Sequence, residues 1–458
     1  MPASRTLSLS QPFPSDAAIP GLHEGGPDMT DPVRIVIVGG GVAGIILATR
    51  LGRSHGRSGR ASVTLVDRSL SHVWKPMLHT FAAGTARPDR QQVNFLAQAK
   101  ASGFSFLAAD LDGIDRDAKV AVVRPLGRRE PDGGPLPKLR VGYDRLVLAL
   151  GSRANDFGTP GVSDHCVAID DLASAQTIHA RLRDHALAAL HHEDELSLAI
   201  VGGGATGVEL AAELKRAANL VAAYGSPSLP HRFRLALIES GPRLLLAFPD
   251  HIAQAASKTL RDLGVDVRTG AMVTGADADG FTLKDGSRIE ARIKIWAAGV
   301  RAPDVLTRVE GLERSRIGQL VVDDRLRITR DPAILALGDC AGLVDRRTGK
   351  PVPATAQAAT QQAHHLARHV EAWCSDGPVP PFHYRDRGAL VSLADYNGWG
   401  TLGRYTFGGG RLKGLFARLG HAFLYRRHQL SLLGPVRGPL AWLVDGLDHL
   451  VSPPVRLD

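Results

Sequence analysis

The sequence predicts an α/β protein of two Rossmann-like units closed by a C-terminal amphipathic helical segment. Three observations predict it. Two glycine-rich turns, Gly39-Gly40-Gly41-Val42-Ala43-Gly44 and Gly202-Gly203-Gly204-Ala205-Thr206-Gly207, share one pattern, and each follows an aliphatic run, Arg34–Val38 or Leu196–Val201. A later run, Thr329–Leu337, ends in Gly338-Asp339 and suits a strand that returns to the first unit. Residues 400–458 then change character, with eight Lys or Arg against three Asp and apolar residues at helical spacing.

The first 31 residues are rich in Ser, Pro, Gly and Ala and lack the charged start and apolar stretch of a secretion signal. They read as a disordered leader (1–31), with Met29 a candidate start. Residues 32–158 open the first unit. A buried parallel strand turning into a helix aims unsatisfied N–H groups and a positive dipole end at one spot, where a pyrophosphate fits. Gly39 permits the tight turn, Gly41 lets phosphate approach the backbone, and Gly44 lets helix and strand pack. The basic linker Arg53–Arg60 is predicted as an exposed turn. The second strand, Ser62–Val66, ends in Asp67, 28 positions after Gly39, and the linker accounts for that long interval. A carboxylate there accepts hydrogen bonds from ribose hydroxyls. The run Tyr143–Gly151 is another strand, marking the crossover to the second unit.

Residues 159–322 repeat the plan. The strand Arg234–Ile238 ends in Glu239, 37 positions after Gly202, and residues 217–232, with Gly225, Pro227 and Pro230, are predicted as an inserted loop. A Glu at this point holds both ribose hydroxyls and repels a 2′-phosphate, which favours NADH over NADPH. Arg243 is the neighbour that would serve a phosphate instead. The strand from Ile293 ends in Ala298 and Gly299, small residues against which a ring could lie. Residues 323–398 return to the first unit, where the Asp339 carboxylate suits a ribityl hydroxyl. In the tail, 399–458, Leu412, Leu415, Phe416, Leu419 and Phe423 form one apolar set. Leu440, Leu443, Val444, Leu447, Leu450 and Val451 form another, in a helix predicted to start at Pro439. The pair reads as an interfacial anchor on anionic lipid, with Arg426 snorkelling; packing on the body or on a second copy, as a homodimer, is the plainer reading.

Bulk composition narrows the classes. A chain of 458 residues, 44% hydrophobic and 22% charged, is long enough for two or three ordinary cores. The three cysteines stand far apart, against a disulfide scaffold, a metal site or a dithiol relay. The net charge of +9 comes without an aromatic stacking platform, against nucleic acid. No run of about 18 apolar residues predicts a spanning helix. Two dinucleotides held together point to electron transfer between them.

Several segments carry a resemblance: Ser71-His72-Val73-Trp74-Lys75-Pro76-Met77-Leu78-His79, Leu148–Ser152 with Asn155-Asp156-Phe157, and Gly203–Glu209. Trp296–Gly299, Gly338-Asp339-Cys340-Ala341 and Ala356-Gln357-Ala358-Ala359-Thr360-Gln361 complete it. With these the chain resembles the type II NADH:quinone oxidoreductases, from about residue 33 to the C-terminus. The resemblance implies a flavoprotein of two dinucleotide-binding domains with one non-covalent FAD. It would oxidise NADH on one flavin face and reduce a membrane quinone on the other, without proton pumping. It would work as a peripheral protein on the cytoplasmic face of the inner membrane. It implies that Glu209 lies near nicotinamide and flavin, that Gln357 and Gln361 border the quinone pocket, and that Ala359 and Thr360 lie against the flavin. Arg68, Lys75, Ala149 and Gly151 join the FAD-binding set. Cys340 beside the Gly-Asp reads as a packing residue. Two alternatives stay open: a sulfide:quinone oxidoreductase, which needs two cysteines at the flavin, and a flavin- and NADH-binding signalling protein.

Overall fold

The structure, a computed structural model, describes residues 32–128, 133–192, 195–223, 229–402, 405–408, 411–451, 453, 455 and 456; the leader lies outside them. Aliphatic runs without polar interruption form strands buried on both faces. Strand β1 (Val33–Val38) leads through the first glycine turn into α1 (Val42–Leu51), then β2 (Ala61–Asp67) and α2 (Leu78–Ala83). Strands β3 (Ser105–Asp115), β4 (Val120–Pro125), β5 (Leu139–Gly142) and β6 (Arg145–Leu148) follow. Next come β7 (Val167–Ala168), α3 (Leu172–His192), β8 (Leu196–Val201), α4 (Ala205–Ala223), β9 (Phe233–Ile238), β10 (Val265–Arg268) and β11 (Ile293–Trp296). The chain continues through β12 (Arg327–Ile328), β13 (Asp331–Ala336) and α5 (Ala356–Arg368). It ends in an antiparallel sheet of β14 (Leu390–Leu393), β15 (Asn397–Leu402) and β16 (Tyr405–Gly408), then the helical tail Arg411–Val451.

Two sheets organise these elements. The larger has the order β12-β13-β6-β1-β2-β3-β4-β5, with β13, β6, β1, β2 and β3 parallel. The late run at 331–336 thus does sit beside β6, with Ile334 opposite Leu146. The second sheet, β7-β11-β8-β9-β10, is parallel throughout. In each, the strand before a glycine turn lies where the order reverses, which opens a crevice at its carboxyl end. Ile35, Ile37, Leu65 and Leu146 in one core, and Ile200, Val208, Leu237 and Ile295 in the other, are fully buried. Each such side chain contributes about 1.5–3 kcal/mol by leaving water.

Three local expectations are corrected. The predicted loop at 217–232 is largely helix: α4 runs to Ala223 and Leu229–Arg232 makes a further turn, positions 224–228 lying outside the described residues. Burial of Val221 and Leu229 against Val455 carries the helical path into that stretch. The Arg53–Arg60 linker is not wholly an exposed turn. Gly52–Gly56 wind helically, and His55 is buried with its Nε2 2.9 Å from Glu371 Oε1. In the tail, Gly434 takes φ 82° and breaks the path, so the second helix begins at Pro435 rather than Pro439. A proline at the first helical position gives up only an N–H that the helix leaves unbonded. No helix among the described residues is long and apolar enough to cross a membrane.

Candidate active site

The first cradle is built by what its glycines leave out. Gly39 has φ +105°, and a Cβ there would stand 2.3 Å from the Ala149 carbonyl oxygen. A Cβ on Gly44 would stand 1.8 Å from the Gly39 carbonyl oxygen. Gly41 caps α1 without a side-chain bond, so first-turn N–H groups of Val42, Ala43 and Gly44 are left for an external acceptor. Bare donors, space beside Gly41 and a dipole end fit a pyrophosphate. Asp67, at the end of β2, accepts from Gly40 N at 2.5 Å and Ser69 N at 2.7 Å. Burial pushes its carboxyl up, and these two bonds oppose the shift. Asp67 therefore laces the turn to the next strand, a task sequence reading missed.

The rest of the FAD-assigned set gathers at the ends of β6 and β13. Lys75 Nζ donates to the Ser152 carbonyl at 3.3 Å, and Ser152 Oγ donates to Asp339 at 2.8 Å. Gly151 has φ +68° and open space where a Cβ would stand. Gly338, at φ +70°, has the Ala359 methyl 3.7 Å from its would-be Cβ and donates its N–H to Gln362 at 2.7 Å. Gln362 is 2% exposed and was not singled out from sequence; the doubled glutamine after Thr360 was its only signal. Thr360 Oγ1 is turned back onto the Ala356 carbonyl at 2.7 Å. Arg68 is placed differently from the rest, in an ion pair with Asp171 at 2.9 Å.

The second cradle repeats the first. Gly202, at φ +119°, would drive a Cβ to 2.6 Å from the Ala297 carbonyl oxygen, and a Cβ on Gly207 would stand 1.9 Å from that of Gly202. Gly204 faces open space, with Ala205 and Thr206 beside it at the start of α4. Glu239 accepts from Gly203 N at 2.7 Å and from Gly241 N at 2.6 Å, the same lacing that Asp67 performs. Arg243 is engaged by Asp250 at 3.0 Å and by the Leu245 carbonyl at 3.0 Å. Trp296 Nε1 donates to the Asn155 carbonyl at 2.9 Å and to that of Ala298 at 3.1 Å. Gly299, at φ +66°, lies against the ring of Phe157.

The two sets meet. The segment leaving β6 pairs antiparallel with the one leaving β11, Arg153 with Arg301 and Ala154 with Val300. Glu209, in α4 just past the second cradle, is 5% exposed and accepts from Ser392 N at 3.0 Å through Oε1. Its Oε2 lies 3.7 Å from His79 Nδ1. Burial pushes the Glu209 carboxyl up to about 8, and Glu213, one turn on, adds repulsion. A group so placed holds a proton at neutral pH.

Helix α5 carries the two other residues assigned to chemistry. Gln357 accepts from Arg387 N at 2.7 Å and donates to the Gly388 carbonyl at 3.0 Å. Gln361 accepts from Arg385 N at 3.0 Å and donates to the Arg385 carbonyl at 2.8 Å. Both amides thus fasten the segment 385–388. Cys340 is fully buried, its thiol 3.4 Å from the Leu148 carbonyl oxygen and pushed up to about 12 by burial. Burial pushes Cys166 up to about 11 and Cys374 up to about 12. Such thiols are poor nucleophiles, and the sulfide chemistry would need two good ones.

Comparison with known proteins agrees with this arrangement. Residues 33–363 match the family model described as pyridine nucleotide-disulphide oxidoreductase. In fold, the chain is similar to NDH2 from Plasmodium falciparum solved with NADH (TM-score 0.80, 18% identity, 93% of this chain and 99% of that one). It is less similar to the sulfide:quinone oxidoreductase of Aquifex aeolicus (TM-score 0.67, 15% identity, 88% of this chain and 93% of that one). The type II NADH:quinone oxidoreductase of Staphylococcus saprophyticus is 29% identical, over 81% of this chain and 90% of that protein. That of Haemophilus influenzae is 39% identical, over 92% of this chain and 99% of that protein. With two matched cradles whose neighbouring strands are linked and a relative this close over nearly its whole length, the chain belongs to the type II NADH:quinone oxidoreductases.

Proposed function

We propose that the chain oxidises NADH through one non-covalent FAD and reduces a membrane quinone by two electrons, without proton pumping. FAD, when bound, supplies the hydride chemistry. Residues 32–158 and 323–398 hold it, with the Gly39–Gly44 turn on its pyrophosphate, Asp67 on ribose and Asp339 toward the ribityl chain. Residues 159–322 hold NADH, with its pyrophosphate on the Gly202–Gly207 turn, ribose at Glu239 and the nicotinamide toward Ala298 and Gly299. Glu209 keeps a proton on Oε2, since Oε1 already accepts the Ser392 N–H. Gln357 and Gln361 border the quinone side by fixing 385–388. The observation that carries the reading is the pairing of 153–154 with 300–301, which joins the segment leaving the strand beside one cradle to the segment leaving the strand beside the other.

The tail, 399–458, seats the protein peripherally on anionic lipid, on the cytoplasmic face of the inner membrane. Leu440, Leu443, Val444, Leu447 and Val451 are each more than half exposed in support. The side chains of Leu412, Leu415, Phe416, Leu419 and Leu450 lie outside the described ones. Arg426 does not snorkel: it pairs with Asp445 between the two tail helices and donates to Gln429 at 3.1 Å. Mixing purified protein with NADH and a short-chain quinone tests the function. The expected result is nicotinamide oxidation that stops when quinone is exhausted. A colourless protein, or turnover with sulfide and not NADH, overturns it.

A further inference from the structure

On α5, Gln357, Gln361, His364 and Arg368 are spaced four, three and four apart and share one face. At its C-terminal end His364 is half-buried, with Nε2 lacking a hydrogen-bond partner. Four guanidinium charges bear on that ring: Arg50 from the last turn of α1, Arg368 from α5, Arg427 from the first tail helix and Arg387 from the segment the glutamines fasten. All four are exposed, and none has a carboxylate partner among the described residues. Glu371, three residues past Arg368, is taken by His55 and Arg60.

The elements carrying these charges are fixed against one another. Arg53 donates to the Leu432 carbonyl at the end of the first tail helix, and Gln98 donates to the same oxygen at 2.8 Å. His72 meets His428 on that helix, Nε2 to Nε2, at 2.8 Å. The helix therefore cannot drift to carry these charges apart, and together they make a fixed positive field that attracts anions. Phe423 and Leu430, four before and three after Arg427, are exposed on the same helix face. Apolar side chains beside unpaired cations fit the boundary between acyl chains and phosphates.

We propose that Arg50, Arg368, Arg387 and Arg427 form a binding site for the phosphates of anionic phospholipid headgroups, at the outer end of the α5 face that leads to Gln357 and Gln361. The site spans α1, α5, the 385–388 segment and the first tail helix, apart from the exposed apolar row of the second tail helix, and its role at a quinone entrance rests on the function proposed above. Full-length holoprotein is sedimented with phosphatidylglycerol and with phosphatidylcholine vesicles, and compared with the triple variant Arg50→Gln, Arg368→Gln, Arg427→Gln. The expected loss of affinity for phosphatidylglycerol is about a hundredfold, from about fivefold for each basic residue at an anionic surface. KM for a long-chain quinone in those vesicles rises, while turnover with a water-soluble quinone and the melting temperature stay unchanged. Equal vesicle binding by both proteins overturns the site. Inorganic phosphate bound by wild type and not by the triple variant, with phosphatidylglycerol vesicles sedimenting both proteins equally, assigns the site to free phosphate and overturns the lipid. If wild type turns over no quinone at all, the function fails, and the sedimentation result still stands or falls separately.

Discussion

Gly44 and Gly207 each stand where a single methyl would collide with backbone under 2 Å away. Gly44→Ala is expected to give protein depleted in flavin, read by absorbance after denaturation. Gly207→Ala should keep flavin and raise KM for NADH by at least about tenfold, the effect of a loss near 1.4 kcal/mol. Glu239→Arg should weaken NADH and admit NADPH, and unchanged KM values for both refute the ribose assignment. Glu209 gives a pH signature. Its carboxyl is pushed from 4.5 up to about 8, so the unfolded chain releases that proton first and stability is lost as pH rises from about 4.5 to 8. Thermal melts of Glu209→Gln should show that fall reduced, the variant gaining most on wild type near pH 8.5. These positions were legible because glycine and a strand-end acid have few alternatives once strand, turn and helix are spelled out. Gln362 and the His79 contact were not, because nothing local marks which side of a helix meets a distant loop.

Elements declared themselves where their apolar pattern was decisive. The strands around both cradles, β1, β2, β6, β13, β8, β9 and β11, were found within a few residues, since burial on both faces demands unbroken aliphatic runs; β3, β7 and β10, which complete the parallel sets, were not singled out. The stretch at 217–232 misled because glycine and proline weigh against helix locally, while Val221, Leu229 and Val455 close a small apolar contact across the chain. The start at Pro435 was missed because two prolines compete, and the glycine before the first decides. Arg426 was misread for want of Asp445, nineteen residues on. The exposed row on the second tail helix supplies the element-scale test. Leu440→Glu with Leu443→Glu and Leu447→Glu should release the protein from vesicles while its melting temperature holds, because these side chains are already in water. A shift from dimer to monomer in light scattering, with vesicle binding intact, would assign the row to a second copy.

Across the molecule, the tail and the first cradle are joined through a histidine pair. His72 Nδ1 lies 2.9 Å from the Gly40 carbonyl and must donate to it, so Nε2 accepts and His428 donates. Burial lowers His72 from 6.5 to about 4, and His428 falls for the same reason with His72 beside it. The stability this pair contributes is thus fully present above pH 6.5 and lost as pH falls toward 4, since the undocked rings take up protons first. His428→Leu should flatten melting temperature against pH in that window. Removing everything after residue 410 should therefore cost flavin retention as well as lipid binding, which flavin release assays on the truncated protein will read. The second tail helix has a further fastening: Arg456 N donates to the Gly84 carbonyl at 2.9 Å, and Val455 is buried beside Leu229. Pinned near both ends, it is a strap rather than a tether. A tether lets an enzyme tumble above the surface it is tied to; a strap hands its own tilt to everything behind it. The adhesion proposed for this one helix would consequently set the compass heading of the whole catalyst.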